Sequence, residues 1–242
     1  MNARQEHSHS LDSLLTQSLN ISYGITDDLS LIANFPFRAF FGLETTAEGF
    51  LINDGSSIGF GDFSFLAKYK FLDRNNFSLA AIAGVKIPSG DTNQKNEFGF
   101  LLSPDTQPGS GSWDPIMGLA ATKSFKSFDL HSSVLYQLST PGSQDTIVGD
   151  NLSYNLALTK KLSKHVEFVT ELNGLWREKV ETNGIKDSNH GGHIIFATPG
   201  LRININEHLL NSIYLSLPLI QDINGYQAEL NFQLGFNTTI IF

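Results

Sequence analysis

YQAELNFQLGFNTTIIF, residues 226–242, closes the chain and decides how the rest of it is read. Leu230, Phe232, Leu234, Phe236, Ile240 and Phe242 fall on one parity, and Glu229, Asn231, Gln233, Gly235, Asn237 and Thr239 on the other. Strand side chains point to alternate faces, so this stretch is a β-strand with an apolar face backed by a polar one.

The same alternation recurs upstream. Phe63, Phe65, Ala67, Tyr69 and Phe71 oppose Asp62, Ser64, Lys68 and Lys70. Phe128, Leu130, Val134, Tyr136 and Leu138 oppose Asp129, His131, Ser133 and Gln137. Val166, Phe168, Leu172 and Trp176 oppose Glu167, Glu171, Asn173 and Arg177. Alternation and turn residues together predict eleven strands, over 11–25, 29–41, 61–72, 77–88, 113–123, 128–139, 151–161, 165–178, 193–204, 209–220 and 225–242.

Short turns at 26–28, 73–76, 124–127, 162–164 and 205–208 alternate with long polar loops at 42–60, 89–112, 140–150 and 179–192. Short turns on one side and long loops on the other are the pattern of an outer-membrane barrel. A terminal aromatic, Phe242, also matches the C-terminal signal read by barrel-assembly machinery. The fold class expected is all-β, a transmembrane antiparallel up-and-down β-barrel, with residues 1–242 forming one domain.

Single-chain bacterial barrels have even strand numbers, which sets an expectation of about twelve strands with the first one upstream of this chain. Residues 1–10 carry no apolar signal-peptide core and are expected to be a remnant of the first extracellular loop. The expected location is the cell outer membrane, with outer-membrane lipid as a partner.

A soluble barrel with its apolar face inward would alternate in the same way. Aromatic placement argues for lipid. Tyr23, Phe71, Phe77, Phe128 and Phe242 gather near the short turns, and Phe41, Trp113, Trp176 and Tyr226 near the long loops, as two interfacial girdles. So many rings would also overfill a narrow closed interior.

The composition excludes other classes. There is no cysteine, hence no disulfide scaffold, thiolate nucleophile or cysteine zinc site. A net charge of −8 without a basic cluster argues against nucleic acid. No apolar run is long enough for a transmembrane helix.

Three glycine-rich strand–loop junctions carry a resemblance. They are Gly59-Phe60-Gly61-Asp62 leading to Lys68-Tyr69-Lys70-Phe71, Gly84-Val85-Lys86-Ile87-Pro88-Ser89-Gly90-Asp91, and Gly109-Ser110-Gly111-Ser112-Trp113-Asp114-Pro115. Gly191-Gly192, Thr198-Pro199-Gly200-Leu201-Arg202 and Leu217-Pro218-Leu219 add to it. From about residue 15 onward the chain resembles the outer-membrane transporters named for the meta-pathway of phenol degradation. The resemblance implies a barrel and passive uptake of small, hydrophobic or aromatic molecules. The residues themselves read as follows: Gly59 and Gly61 supply unusual backbone angles at a corner, and Pro88, Pro115 and Pro218 sit near strand ends where a missing N–H costs least.

Parity places Asp62, Lys68, Lys70, Lys86, Asp114, His131, Glu167, Glu171, Arg177 and Glu229 in the lumen. They line a constriction that selects a solute, or they pair into a network that fills a closed structural or surface-binding barrel. Both readings stand on sequence alone. An outer-membrane hydrolase is a third reading, since Asp129, His131 and Ser133 share a face. Neighbours two apart on a strand are about 7 Å apart, however, too far for a triad's direct hydrogen bonds. His7 and His9, and His190 and His193, have no spacing diagnostic of a metal site, and no cofactor is expected. Phe98, Phe100, Leu101 and Leu102 form an apolar cluster inside a long loop, placed either to plug the mouth, to meet a hydrophobic solute, or to pack locally.

Overall fold

A computed structural model describes residues 8–47, 50–225, 227 and 229–242. One antiparallel sheet of thirteen strands dominates. They make eleven passes, because Ser8–Ser10 runs on into Ser13–Gly24 and Phe50–Phe60 into Ser64–Arg74. We number the passes β1 (Ser13–Gly24), β2 (Leu29–Ala47), β3 (Phe50–Phe60 with Ser64–Arg74), β4 (Phe77–Lys86), β5 (Asp114–Ser124), β6 (Asp129–Gln137), β7 (Asn151–Lys161), β8 (Val166–Arg177), β9 (Gly192–Asn204), β10 (Leu209–Ile223) and β11 (Gln233–Ile240). Each pairs with its neighbour in sequence, the up-and-down order expected. Among the described residues β1 and β11 pair on one side only, leaving a seam between them. Among the described residues no helix is long and apolar enough to cross a membrane.

Burial is inside-out relative to a soluble domain, and this decides which face meets lipid. Buried positions are mostly polar, among them Ser57, Asp62, Gln107, Asp114, Thr159 and Thr198. Large apolar side chains such as Leu19, Tyr23, Tyr69, Met117, Leu119, Leu201 and Phe236 stand exposed on the outer face. Soluble monomers do not leave so continuous an apolar belt in water. In a bilayer the same belt is solvated by acyl chains, while the ladders between successive passes pair the backbone N–H and C=O groups everywhere but along the seam. Tyr23 and Phe71 at the short-turn end, and Phe41, Trp113 and Trp176 at the loop end, are outward and exposed as the girdles require. Tyr226 lies outside the described residues.

Three expected boundaries are corrected. Stretch 42–60 is no loop: β2 and β3 continue as a hairpin through Ala47 and Phe50, irregular around Gly42 and Gly55. Once past the membrane both faces of a hairpin can be polar, so its alternation disappears from the sequence while the pairing persists. Ser8–Ser10 extends β1 against Glu44–Thr46 and is strand, not loop remnant; residues 1–7 lie outside the described residues. The last strand begins at Gln233, not 225. Upstream of it the Gln221 side chain donates to the Leu230 carbonyl and accepts from its N–H, replacing the ladder with side-chain bonds.

Candidate functional site: the lumen and its mouth

Lys86 ends β4 and Asp114 opens β5, directly opposite in register. Parity turns both inward, and there Lys86 Nζ lies 2.7 Å from Asp114 and 3.0 Å from Asp62. The three side chains are nearly sealed from solvent. Buried charges persist only when their remaining valences are filled, and here they are. Asp62 accepts from the Gly90 N–H at 3.0 Å and from Ser110 N–H and Oγ at 2.8 and 2.6 Å. Asp114 accepts from Gln137 Nε2 at 2.9 Å and the Thr140 N–H at 3.0 Å. Lys86 also donates to Ser110 and Ser112.

This network fastens the long loop 87–113 inside the barrel rim. Gly90 and Gly109 pass so close that a Cβ on either would meet the other's backbone at 2.6 Å. Gly59 and Gly61 are not needed for unusual backbone angles, which corrects the expectation: neither has positive φ. They leave room for Pro108 instead, 3.2 Å from where a Gly59 Cβ would sit. Buried Gln107 donates to the Gln94 and Leu102 carbonyls, fixing the loop on itself. The apolar cluster divides. Leu102 is 3% exposed and packs on Phe40 and Leu43, whereas Phe98 and Phe100 remain 68% and 70% exposed.

Among the described residues two cavities lie inside the wall. The one at the mouth, about 470 Å³, is bounded by β1, β2, β4, β8 and β9 and by loop 87–113. Arg38, Arg177, Lys86 and His190 reach its surface beside Leu175, Ile194 and Val180. The second, about 590 Å³, lies lower, among β7–β11. Glu171, Asn155, Asn173, Asn237 and Tyr214 line it, and Arg202 at its edge is 3.2 Å from Glu167.

The remaining expected lumen residues are scattered. Lys68 is exposed and lines neither cavity. Lys70 is at the short-turn end, 2.9 Å from Asp73 and 3.3 Å from Asp28. His131 Nδ1 pairs with Thr122 Oγ1 at 3.1 Å, and Ser133 Oγ accepts from Asn155 Nδ2 at 3.2 Å, so among the described residues neither is bonded to the other. Glu229 is exposed ahead of β11 rather than on its luminal face. Phe242 projects beyond the last strand, fully exposed.

The histidine pair separates: His193 bonds Tyr154 at 2.7 Å on the outer face, while His190 points to the mouth. No group of residues suited to a metal ion occurs among the described residues. His190 Nε2 is 3.1 Å from Asp105 and Nδ1 3.0 Å from Asp187, joining loop 178–191 to loop 87–113. Burial alone would lower its pKa; the Asp105 hydrogen bond and the charges of Asp105 and Asp187 outweigh that and raise it above the ordinary imidazole value. Arg38 was missed by the sequence reading, although it shares parity with Asn34 on β2.

The comparisons agree with this geometry. The family described as "Putative MetA-pathway of phenol degradation" matches residues 12–219. Among solved structures the chain is similar to the COG4313 outer membrane channel from Pseudomonas putida F1, at 16% identity and TM-score 0.67, covering 94% of this chain and 83% of that one. It is also similar to the NanC porin, at 9% identity and TM-score 0.57, covering 98% and 97%. No curated protein matches the chain.

Proposed function

The chain belongs to the family described by that phenol-degradation pathway, and from this premise we propose that it is an outer-membrane channel for passive passage of small molecules, hydrophobic or aromatic ones among them. The observation that carries the reading is the unfilled lumen. A barrel kept only for structure has no reason to hold two cavities of mixed polar and apolar lining between its loop end and its turns. Apolar Leu175, Ile194 and Val180 at the mouth offer a solute's hydrocarbon part a wall, while Arg38, Arg177 and Ser64 keep the passage wet.

The buried Lys86 cluster favours a second reading, in which the rim network shuts the mouth and the barrel is structural. Conductance separates the two. Refolded into planar bilayers, the full chain should give reproducible single-channel steps. A folded, inserted barrel with no steps would leave the structural reading in possession.

A further inference from the structure

The charges at the mouth are not equally occupied. Asp62, at its wall, is satisfied by Lys86, Ser110 and the Gly90 N–H. Asp105 is held by His190. Lys86 is held by two carboxylates. Arg38 and Arg177 differ. Both line the cavity and both stay open to solvent, yet among the described residues neither makes a hydrogen bond or ion pair. They stand on opposite parts of the wall, Arg38 across from Thr16 on β1 and Arg177 across from Gly192 on β9. The charge of Asp62 reaches Arg38 and that of Asp105 reaches Arg177, but among the described residues neither carboxylate pairs with an arginine directly. Two guanidinium groups that share one cavity and have no hydrogen-bond acceptor of their own repel, and with Asp62 and Asp105 already engaged by Lys86 and His190 their donors are left to water or an anion.

We infer that the mouth of the barrel binds the carboxylate of a small amphipathic anion between Arg38 and Arg177. This rests on the channel reading above and narrows its solute class. A guanidinium presents a planar fork of donors that matches a carboxylate with two parallel hydrogen bonds. Beside Arg177, Leu175 and Ile194 lie opposite each other in register and face the same space. The glycine opposite Arg177, Gly192, leaves the approach clear of a side chain. A carboxylate head on the arginines with its hydrocarbon body on Leu175, Ile194 and Val180 fits a cavity of about 470 Å³. The chain as a whole carries −8, so anions are not drawn to it by overall charge. Selection of an anion has to come from these two side chains.

Benzoate is the probe, with benzyl alcohol as its neutral counterpart. Two measurements are made on the full chain and on Arg38→Gln, Arg177→Gln and Arg177→Lys. One is block of single-channel chloride current by benzoate; the other is calorimetric binding of benzoate to the refolded barrel in detergent. Heat-modified gel mobility confirms that each variant is folded. Benzoate should block and bind, benzyl alcohol should do neither measurably, and each Gln variant should weaken both effects about tenfold or more. Arg177→Lys, which keeps charge and loses the fork, should fall between. A conducting channel that benzoate neither blocks nor binds overturns the inference and leaves the channel reading standing. A barrel that never conducts yet binds benzoate through both arginines sinks the channel reading and upholds the anion site. Binding that survives both Gln variants unchanged also overturns it.

Discussion

The two ends of the barrel use the same residue type to opposite purpose. At the loop end Lys86 is nearly sealed between Asp62 and Asp114, in a network that ties loop 87–113 to three passes. At the turn end Lys70 sits between Asp28 and Asp73 with all three side chains substantially exposed. Both are lysines on the luminal parity with two carboxylates about 3 Å away. The contrast teaches that an ion pair's consequence depends on what water can reach. At the rim a missing partner strands a charge; at the turn water takes its place.

The most severe way to break the comparison is to remove the buried cation. Lys86→Met leaves Asp62 and Asp114 facing each other out of water. Removing one partner of a buried pair costs about 3–5 kcal/mol, offset in part here by the N–H and hydroxyl donors each carboxylate keeps. Urea unfolding of the refolded barrel in lipid should show a large fall in midpoint. Loop 87–113 should become protease-sensitive at the same time, since Asp62 holds Gly90 and Ser110. A midpoint within error of the parent would show that the rim network is dispensable.

The rim was only half legible in the sequence. Parity placed Asp62, Lys86 and Asp114 on the luminal face, because a period of two survives wherever one face meets lipid and the other meets water. Their partnership was not legible. Asp62 and Ser110 are 48 positions apart, and nothing local to either says that a loop folds back to join them. The hairpin of β2 and β3 was lost for the converse reason: outside the bilayer the apolar face is no longer demanded, so Asn53, Gly55 and Ser56 read as loop while pairing as strand. Arg38 carried a signal that was available, the single charge in the expected strand 29–41 and on its luminal parity. Its importance is a matter of what surrounds it, which composition does not record. The eleven passes and their five short turns, in contrast, followed from alternation and turn chemistry, since both are local.

Between these extremes lies His190, which sharpens the comparison because its charge can be switched. Its tie to Asp105 and Asp187 joins two loops across the mouth. Its folded pKa is raised above 6.5, so the stabilisation is fully present below the unfolded value and is lost as pH rises through the folded one. Protease cleavage within loop 178–191 should therefore speed up as pH rises past the ordinary imidazole value and through the raised folded one, after correction for the protease's own profile. His190→Gln should cleave at the fast rate throughout. A parent protein whose cleavage rate does not change over that range would show that the loops are held by something other than this imidazolium.

The smallest effect is expected at Lys70. Its ammonium and both carboxylates are already in contact with water, and holding a long side chain between them costs rotamer entropy that the exposed pairs barely repay. The backbone there is fixed independently, by the Lys70 N–H donating to the Asp28 carbonyl, which no side-chain change removes. Lys70→Met should thus leave the unfolding midpoint unchanged within error. It should also leave single-channel conductance and its ion selectivity at parent values, because the side chain lines neither cavity. A clear loss of selectivity in this variant would mean that the path of a solute runs past the turn-end cluster. The two ends of the barrel would then differ in burial but not in their part in permeation.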